Sequence, residues 1–332
     1  MSNKLVSIVI PTLNSADTID DCLTSIEANN GFVDYEVIVV DGGSTDSTVE
    51  IAQKHTVTLL SSEKPQSRQR NTGIEHASGE IIAFTDSDCV VSKNWLSTLV
   101  KNFNDPSIAG VGGSNLTPPD DSLLSQCIGA LFESLLGSAG ARNTAKYKTV
   151  REVNHNPPSN SAVRKHVLKE IGGFGDEFRY GEDVVLDAKI KRKGYKLIYN
   201  PDLIVCHPRV KTMRGFFKQL FRYGRGRAYS FIRYPESIPI TYFLVTIFAL
   251  GTIFSIPLAI LLPILNPVLI AGWAVYFSFL LIISLYIAIQ HKRPIYFFAL
   301  PFLSFLEHFT LGIGFITGLI HQEKLKPRAT SR

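Results

Sequence analysis

Ile81-Ile82-Ala83-Phe84-Thr85-Asp86-Ser87-Asp88 is an apolar run that closes on two carboxylates. A short unbroken apolar run suits a strand buried on both faces, and the acids after it emerge together at its carboxyl end. In an open α/β sheet that edge is where ligands collect. Around this run, up to about residue 115, short apolar stretches alternate with helical patterns. Residues 6–10, 36–40, 56–60, 80–85 and 108–111 read as strands. Between the first two, Ile19, Cys22, Leu23 and Ile26 recur at helical spacing, with Ser15 as N-cap and Asn29-Asn30-Gly31 as a stop signal. Ser47-Thr48-Val49-Glu50 fits a capping box that opens a second helix. The pattern predicts an α/β fold, an open parallel sheet of nucleotide-binding style flanked by helices.

Further along, a helix is predicted over 123–136, then a polar stretch that is either a loop over the site or a plain connection. Val167, Leu168 and Ile171 lead to Gly172-Gly173-Phe174, a helix resumes over 184–190 until Gly194, and 197–199 reads as a short strand. Beyond Glu236 the medium changes. Residues 237–290, a 54-residue stretch, contain no Asp, Glu, Lys or Arg. Spans of about 20 apolar residues are the reading for such a stretch. Pro263 to Pro267 divides it into spans at about 240–262 and 268–290, and a third apolar segment follows at about 295–320. That segment carries Pro301, Glu307 and His308, so either it faces the protein interior or it is broken or interfacial.

Charge is distributed as unevenly as hydropathy. Up to Glu236 there are 28 Lys and Arg against 27 Asp and Glu, and after it 6 against 2. Eight of the basic residues, Arg209, Lys211, Arg214, Lys218, Arg222, Arg225, Arg227 and Arg233, form an acid-free belt just before the first span. Such a belt marks the cytoplasmic side and attracts anionic headgroups. Adjacency to a span accounts for it, so no nucleic-acid partner is expected. Three spans from a cytoplasmic start would export the tail, yet Lys324, Lys326, Arg328 and Arg332 favour the inside. Four scattered cysteines exclude a disulfide scaffold or zinc cluster. The expected organisation is a catalytic domain over 1–208, a basic juxtamembrane segment over 209–236 and a transmembrane region over 237–332.

Two carboxylates spaced as Asp86 and Asp88 can hold Mg²⁺ or Mn²⁺ while phosphate oxygens take the remaining positions; the rival reading is a pair of turn or surface acids. The surrounding motifs favour the first. Ser7-Ile8-Val9-Ile10-Pro11-Thr12-Leu13-Asn14, Val39-Val40-Asp41-Gly42-Gly43-Ser44-Thr45-Asp46, Arg70-Asn71-Thr72-Gly73 and Asp86-Ser87-Asp88, followed by Asn160, Gly172-Gly173-Phe174, Gly181-Glu182-Asp183 and His207, stand in one order and spacing. Over residues 5–210 this resembles the family 2 glycosyltransferases of GT-A fold.

The resemblance implies a role for each matching position. Pro11, Thr12 and Asn14 match the loop bordering the nucleotide, Asp41 the acid at the base, Arg70 a donor-site arginine and Asp86 the ribose-side acid. Asp88 matches the metal ligand, and His207 a second metal-side group in some members. Asp183 matches the catalytic base, with Glu182 as its neighbour. Gly42 departs from the commoner second Asp. Read from the residues alone, Asp41 can also cap its turn, Asp46 can do only that, Arg70 can be a structural ion pair, and His207 an ordinary histidine. Asp183 can equally be an acid favoured at a helix N-terminus. Gln219-Leu220-Phe221-Arg222-Tyr223 resembles the QxxRW signature of membrane polysaccharide synthases, which implies an acceptor or diphosphate contact for Gln219, Arg222 and Tyr223. Its rival is an amphipathic interfacial helix with Phe216, Phe217, Leu220 and Phe221 in lipid.

The expectation is a multi-pass cell-membrane enzyme with its catalytic domain in the cytoplasm. It would move a sugar from a nucleotide-sugar donor to a lipid-linked saccharide, with inversion and a divalent metal, in surface polysaccharide or protein glycan assembly. A polyprenyl-phosphate monosaccharide synthase, whose acceptor is a polyprenyl phosphate, is the alternative; a non-catalytic nucleotide-sugar-binding scaffold and a nucleotidyl or phosphoryl transferase are outsiders.

Overall fold

The computed structural model describes residues 5–29, 33–134, 136–137, 147–175 and 180–321. The first elements are β1 (Val6–Thr12), α1 (Ile19–Glu27), β2 (Tyr35–Asp41), α2 (Thr48–Ala52), β3 (Thr58–Ser61), α3 (Gln66–His76), β4 (Ile81–Thr85), β5 (Val90–Val91), α4 (Trp95–Lys101) and β6 (Ile108–Leu116). After α5 (Leu123–Glu133) come β7 (Arg151–Val153), β8 (Asn160–Arg164), α6 (Lys165–Ile171), α7 (Glu182–Arg192) and β9 (Lys196–Cys206). Four helices complete the order: α8 (Met213–Arg233), α9 (Thr241–Leu261), α10 (Asn266–Gln290) and α11 (Ile295–Ile320).

The described residues form two compact units, one from 5–118 with 147–208 and one from 119–137 with 209–321. The first is a sheet with the order β3-β2-β1-β4-β8-β6-β9-β5, and β7 pairs with β9. It is mixed rather than parallel: β1 pairs in parallel with β2 and β4, but β8 runs antiparallel to both β4 and β6. Apolar runs carry no direction, so the sequence pattern cannot show this reversal.

Alternation along β1 sorts its side chains between two cores. Val6, Ile8 and Ile10 pack with Ile19, Cys22, Leu23 and Ile26 of α1, whereas Val9 packs with Ile74, Leu168 and Leu186 on the other face. Covered on both sides, the central strands are buried at nearly every position, each fully buried Val, Leu or Ile contributing about 1.5–3 kcal/mol.

The observed ends differ from the expected ones for local reasons. Helix α1 has Thr18, not Ser15, at its N-cap position, without a side-chain cap bond, and the Ser15 hydroxyl meets that of Ser87 at 2.8 Å. The α2 capping box does not form: Ser47 makes no side-chain cap bond, and Asp46 instead accepts the Thr48 N–H at 3.1 Å and the Thr48 hydroxyl at 2.5 Å. Strand β9 runs to Cys206 because its register against β6 shifts between Gly113 and Ser114, where Asn200 gives way to Ile204. Such a bulge accepts Pro201, which an uninterrupted ladder would not. Asn30, Gly31 and the basic tail from Lys324 to Arg332 lie outside the described residues, as does the polar stretch at 138–146.

In the second unit, α9, α10 and α11 are each long and apolar enough to cross a membrane. Half of the apolar window of α11 is buried, against 11% for α9 and α10, so α11 is the inner helix. It is one continuous helix through Pro301, with Glu307, Ser304 and Thr310 fully buried, so the broken alternative does not hold. His308 bonds the Tyr276 hydroxyl and the Leu136 carbonyl, both at 2.9 Å. The reading of Phe216 and Leu220 as lipid-facing is also corrected. Both are fully buried in protein, Phe216 against Phe132 of α5, and only Phe217 of α8's expected apolar set is strongly exposed.

Candidate active site

Strands β1 and β2 run parallel and finish in register at Thr12 and Asp41, with β4 beside them ending at Thr85. Pro11 and Thr12 are buried at the end of β1, and Asn14 stands exposed beyond them with φ of 51°. The Asn14 side-chain oxygen accepts the Thr45 N–H at 2.8 Å, and its own N–H donates to Ser44 Oγ at 2.9 Å, which joins the two loops. Asp41 is buried and holds its own turn. Its carboxylate accepts the N–H groups of Gly43 and Ser44 at 2.9 and 3.0 Å and the Ser44 hydroxyl at 2.5 Å. Asp46 binds Thr48 and the Ala16 N–H, and these bonds pull its carboxyl below the usual range.

Gly42 has a packing reason. Gln69 is buried and donates through Nε2 to Thr12 O at 2.8 Å and Val40 O at 3.1 Å, tying the ends of β1 and β2 together. A Cβ on residue 42 would lie 2.6 Å from that nitrogen. The position that commonly carries a second Asp is thus filled by Gln69. Gly42→Asp is expected to displace Gln69, remove its hydrogen bonds to two buried carbonyls and cost about 1–3 kcal/mol. Thermal unfolding checks this; an unchanged Tm would show that the contact is soft.

Arg70, buried on α3, links two elements. Its Nη2 lies 3.0 Å from Asp86 Oδ1, its Nη1 3.5 Å from Glu182 Oε1, and its guanidinium 5.5 Å from the centre of the Phe174 ring. The end of β4 and the start of α7 are thereby held at one place. Both readings of Arg70 meet here, because an ion pair that orients Asp86 is also part of the site's charge.

Asp88 and His207 are brought together from β4 and the end of β9, with His207 Nε2 3.6 Å from Asp88 Oδ1. Cys89 Sγ lies 3.6 Å from the same oxygen, and the three donor atoms fall within 4.8 Å of one another. Burial, with the Asp86 and Asp88 charges, pushes the Cys89 thiol up and keeps it protonated. Burial also pushes the Asp88 carboxyl up, with His207 opposing. The ready donors are therefore a carboxylate oxygen and an imidazole nitrogen, a set that fits Mg²⁺ or Mn²⁺ completed by phosphate oxygens.

Gly181, at φ of 85°, turns the chain so that α7 begins on Glu182 and Asp183. Burial and the neighbouring Asp183 push Glu182 up to about 7, against the pull of Arg70. Asp183 Oδ1 accepts the Val184 N–H at 2.9 Å, and Oδ2 lies 3.5 Å from His155 Nε2. The other ring nitrogen of His155 is 2.7 Å from the buried Asp187, one turn further along α7. Sequence reasoning missed Gln69, His155 and Asp187. The four-residue spacing of Asp183 and Asp187 on one helix was the available signal for the last; nothing local marked the other two. Gln219, Arg222 and Tyr223 lie in the second unit on α8, where Arg222 and Tyr223 are exposed.

A family model described as glycosyl transferase family 2 matches residues 7–172. The chain is 31% identical to glycosyltransferase AglE of Haloferax volcanii over 231 residues, 67% of this chain and 72% of that protein. It is 25% identical over 338 residues to the dolichyl N-acetyl-alpha-D-glucosaminyl phosphate 3-beta-D-2,3-diacetamido-2,3-dideoxy-beta-D-glucuronosyltransferase of Methanococcus voltae, covering 96% of this chain and 98% of that one. In fold it is similar to the mannosyltransferase PcManGT from Pyrobaculum calidifontis, solved in complex with GDP-Man and Mn²⁺, with a TM-score of 0.59 at 22% identity over 96% of this chain and 88% of that chain.

Proposed function

The chain belongs to glycosyl transferase family 2 and is a glycosyltransferase, and from that premise we propose that it moves a sugar, with inversion, from a nucleotide-sugar donor to a lipid-linked saccharide. The observation that carries the reading is the Asp86–Arg70–Glu182 chain, which sets Asp183 at the same sheet edge as Asp88 and His207. A hydroxyl acceptor has a proton affinity far too high to ionise at neutral pH, so a positioned carboxylate must take its proton as the new bond forms. Asp183 is the carboxylate in that role. Arg70 orients Asp86 toward the donor's ribose, while Asn14 and the Asp41 turn shape the base side. Asp88 and His207 would hold a divalent cation, which neutralises the charge that builds on the departing diphosphate.

The acceptor class is supported by the Methanococcus voltae relative, whose name describes a dolichyl-phosphate-linked sugar as substrate and whose whole length this chain spans. Membrane anchoring rests on α9–α11, and a cytoplasmic active site on the basic belt from Arg209 to Arg233. The test is incubation of the purified protein with labelled nucleotide sugars and native membrane lipid. Label entering the organic phase, with nucleoside diphosphate released, is the expected result. Transfer only to a polyprenyl phosphate would replace the saccharide acceptor; release of pyrophosphate would sink the reaction class.

A further inference from the structure

His155 stands behind Asp183 in a way that the proposed reaction does not yet use. The loop between β7 and β8 places its ring between two carboxylates of α7, Asp183 and Asp187, four residues apart and hence on one face of the helix. Asp187 is fully buried, and a single oxygen, Oδ2, meets both His155 Nδ1 at 2.7 Å and the Asn156 N–H at 2.8 Å. An oxygen already taking the Asn156 N–H is an acceptor, so Nδ1 carries the ring proton toward it. In the neutral ring that leaves the Nε2 lone pair facing Asp183 Oδ2 at 3.5 Å.

Resting on Asp183 as the base, we infer that His155 is a positioning residue and the next proton acceptor, fixed in its tautomer by Asp187. As the acceptor oxygen's electron pair closes on the anomeric carbon, the carbon–oxygen bond to the diphosphate breaks and its electrons leave with that group. The hydroxyl proton passes to Asp183 Oδ2 and on to His155 Nε2, forming an imidazolium between two carboxylates; it returns to water after product release. Asp187 faces His155 from α7, and Asp183 adjoins Glu182, whose own charged neighbours are Arg70 from α3 and Asp86 after β4.

Two readouts on the full chain test this. In ¹⁵N-histidine NMR at alkaline pH, the resonance lost in His155→Gln should be the Nδ1-protonated tautomer; an Nε2-protonated ring overturns the inference. In the lipid-transfer assay, His155→Ala should lower kcat about 10- to 100-fold with donor KM unchanged, and added imidazole should restore much of the rate. Asp187→Asn, which keeps the shape, should lose a similar factor, and the double variant no more than either single one. An unchanged kcat, or a loss that imidazole does not repair, overturns it. Asp183→Asn run alongside separates the failures. If that variant is inactive while His155→Ala is normal, only this inference falls; if it is fully active, the base assignment falls first.

Discussion

Asp183→Asn is expected to lower kcat by roughly 10²- to 10⁴-fold, the range a positioned general base contributes, with donor KM little changed. The amide keeps the shape and can still accept the Val184 N–H that orients the side chain, so the fold is preserved while the proton acceptor is lost. Glu182→Gln should cost less. Burial and the neighbouring Asp183 push Glu182 up to about 7, and its carboxylate is engaged by Arg70. Two adjacent carboxyls are thereby separated into roles by environment. Steady-state kinetics with donor titrated at saturating acceptor measure both effects. Wild-type turnover in Asp183→Asn, with donor binding intact, would remove Asp183 from the mechanism.

Asp88→Asn is expected to lower turnover by about 10²- to 10³-fold, a loss of the size seen when charge stabilisation of a leaving oxygen is removed. Asp88 supplies the anionic oxygen of its cluster, and His207, 3.6 Å away, is a neutral or cationic partner that cannot replace it. The amide therefore leaves a weak donor set. The same variant should lose Mn²⁺ binding measured by electron paramagnetic resonance, and a chelator should abolish wild-type transfer until metal is returned. Transfer that proceeds in excess chelator, or Mn²⁺ affinity unaltered in Asp88→Asn, would take Asp88 out of the metal site.

Much of this site was legible before any coordinates because its residues follow strands. A buried strand is read from a run such as Ile81 to Phe84, and its carboxyl end then names Asp86 and Asp88 without knowledge of the fold. Asp41, at the end of β2, and Asn14, beyond β1, were implied by the family resemblance instead. Helix starts were legible less well. Ser15 and Ser47 are good caps by residue type, but the Ser15 hydroxyl is taken by Ser87 and Thr48 is held by Asp46, contacts that residue type does not reveal.

What residue order alone determined is the α/β pattern of the N-terminal part, the uncharged apolar run behind a basic belt, and the acids that follow the β4 strand. Periodicity and charge are local, and they report the medium each segment meets. Only the tertiary structure decided that β8 enters the sheet antiparallel, that Gln69 fills the space Gly42 leaves, and that His155 lies between Asp183 and Asp187. Each of these joins residues tens of positions apart through packing and hydrogen bonds. No local pattern carries that information, because the partner of a buried polar group is chosen by the chain's path and not by its neighbours in sequence.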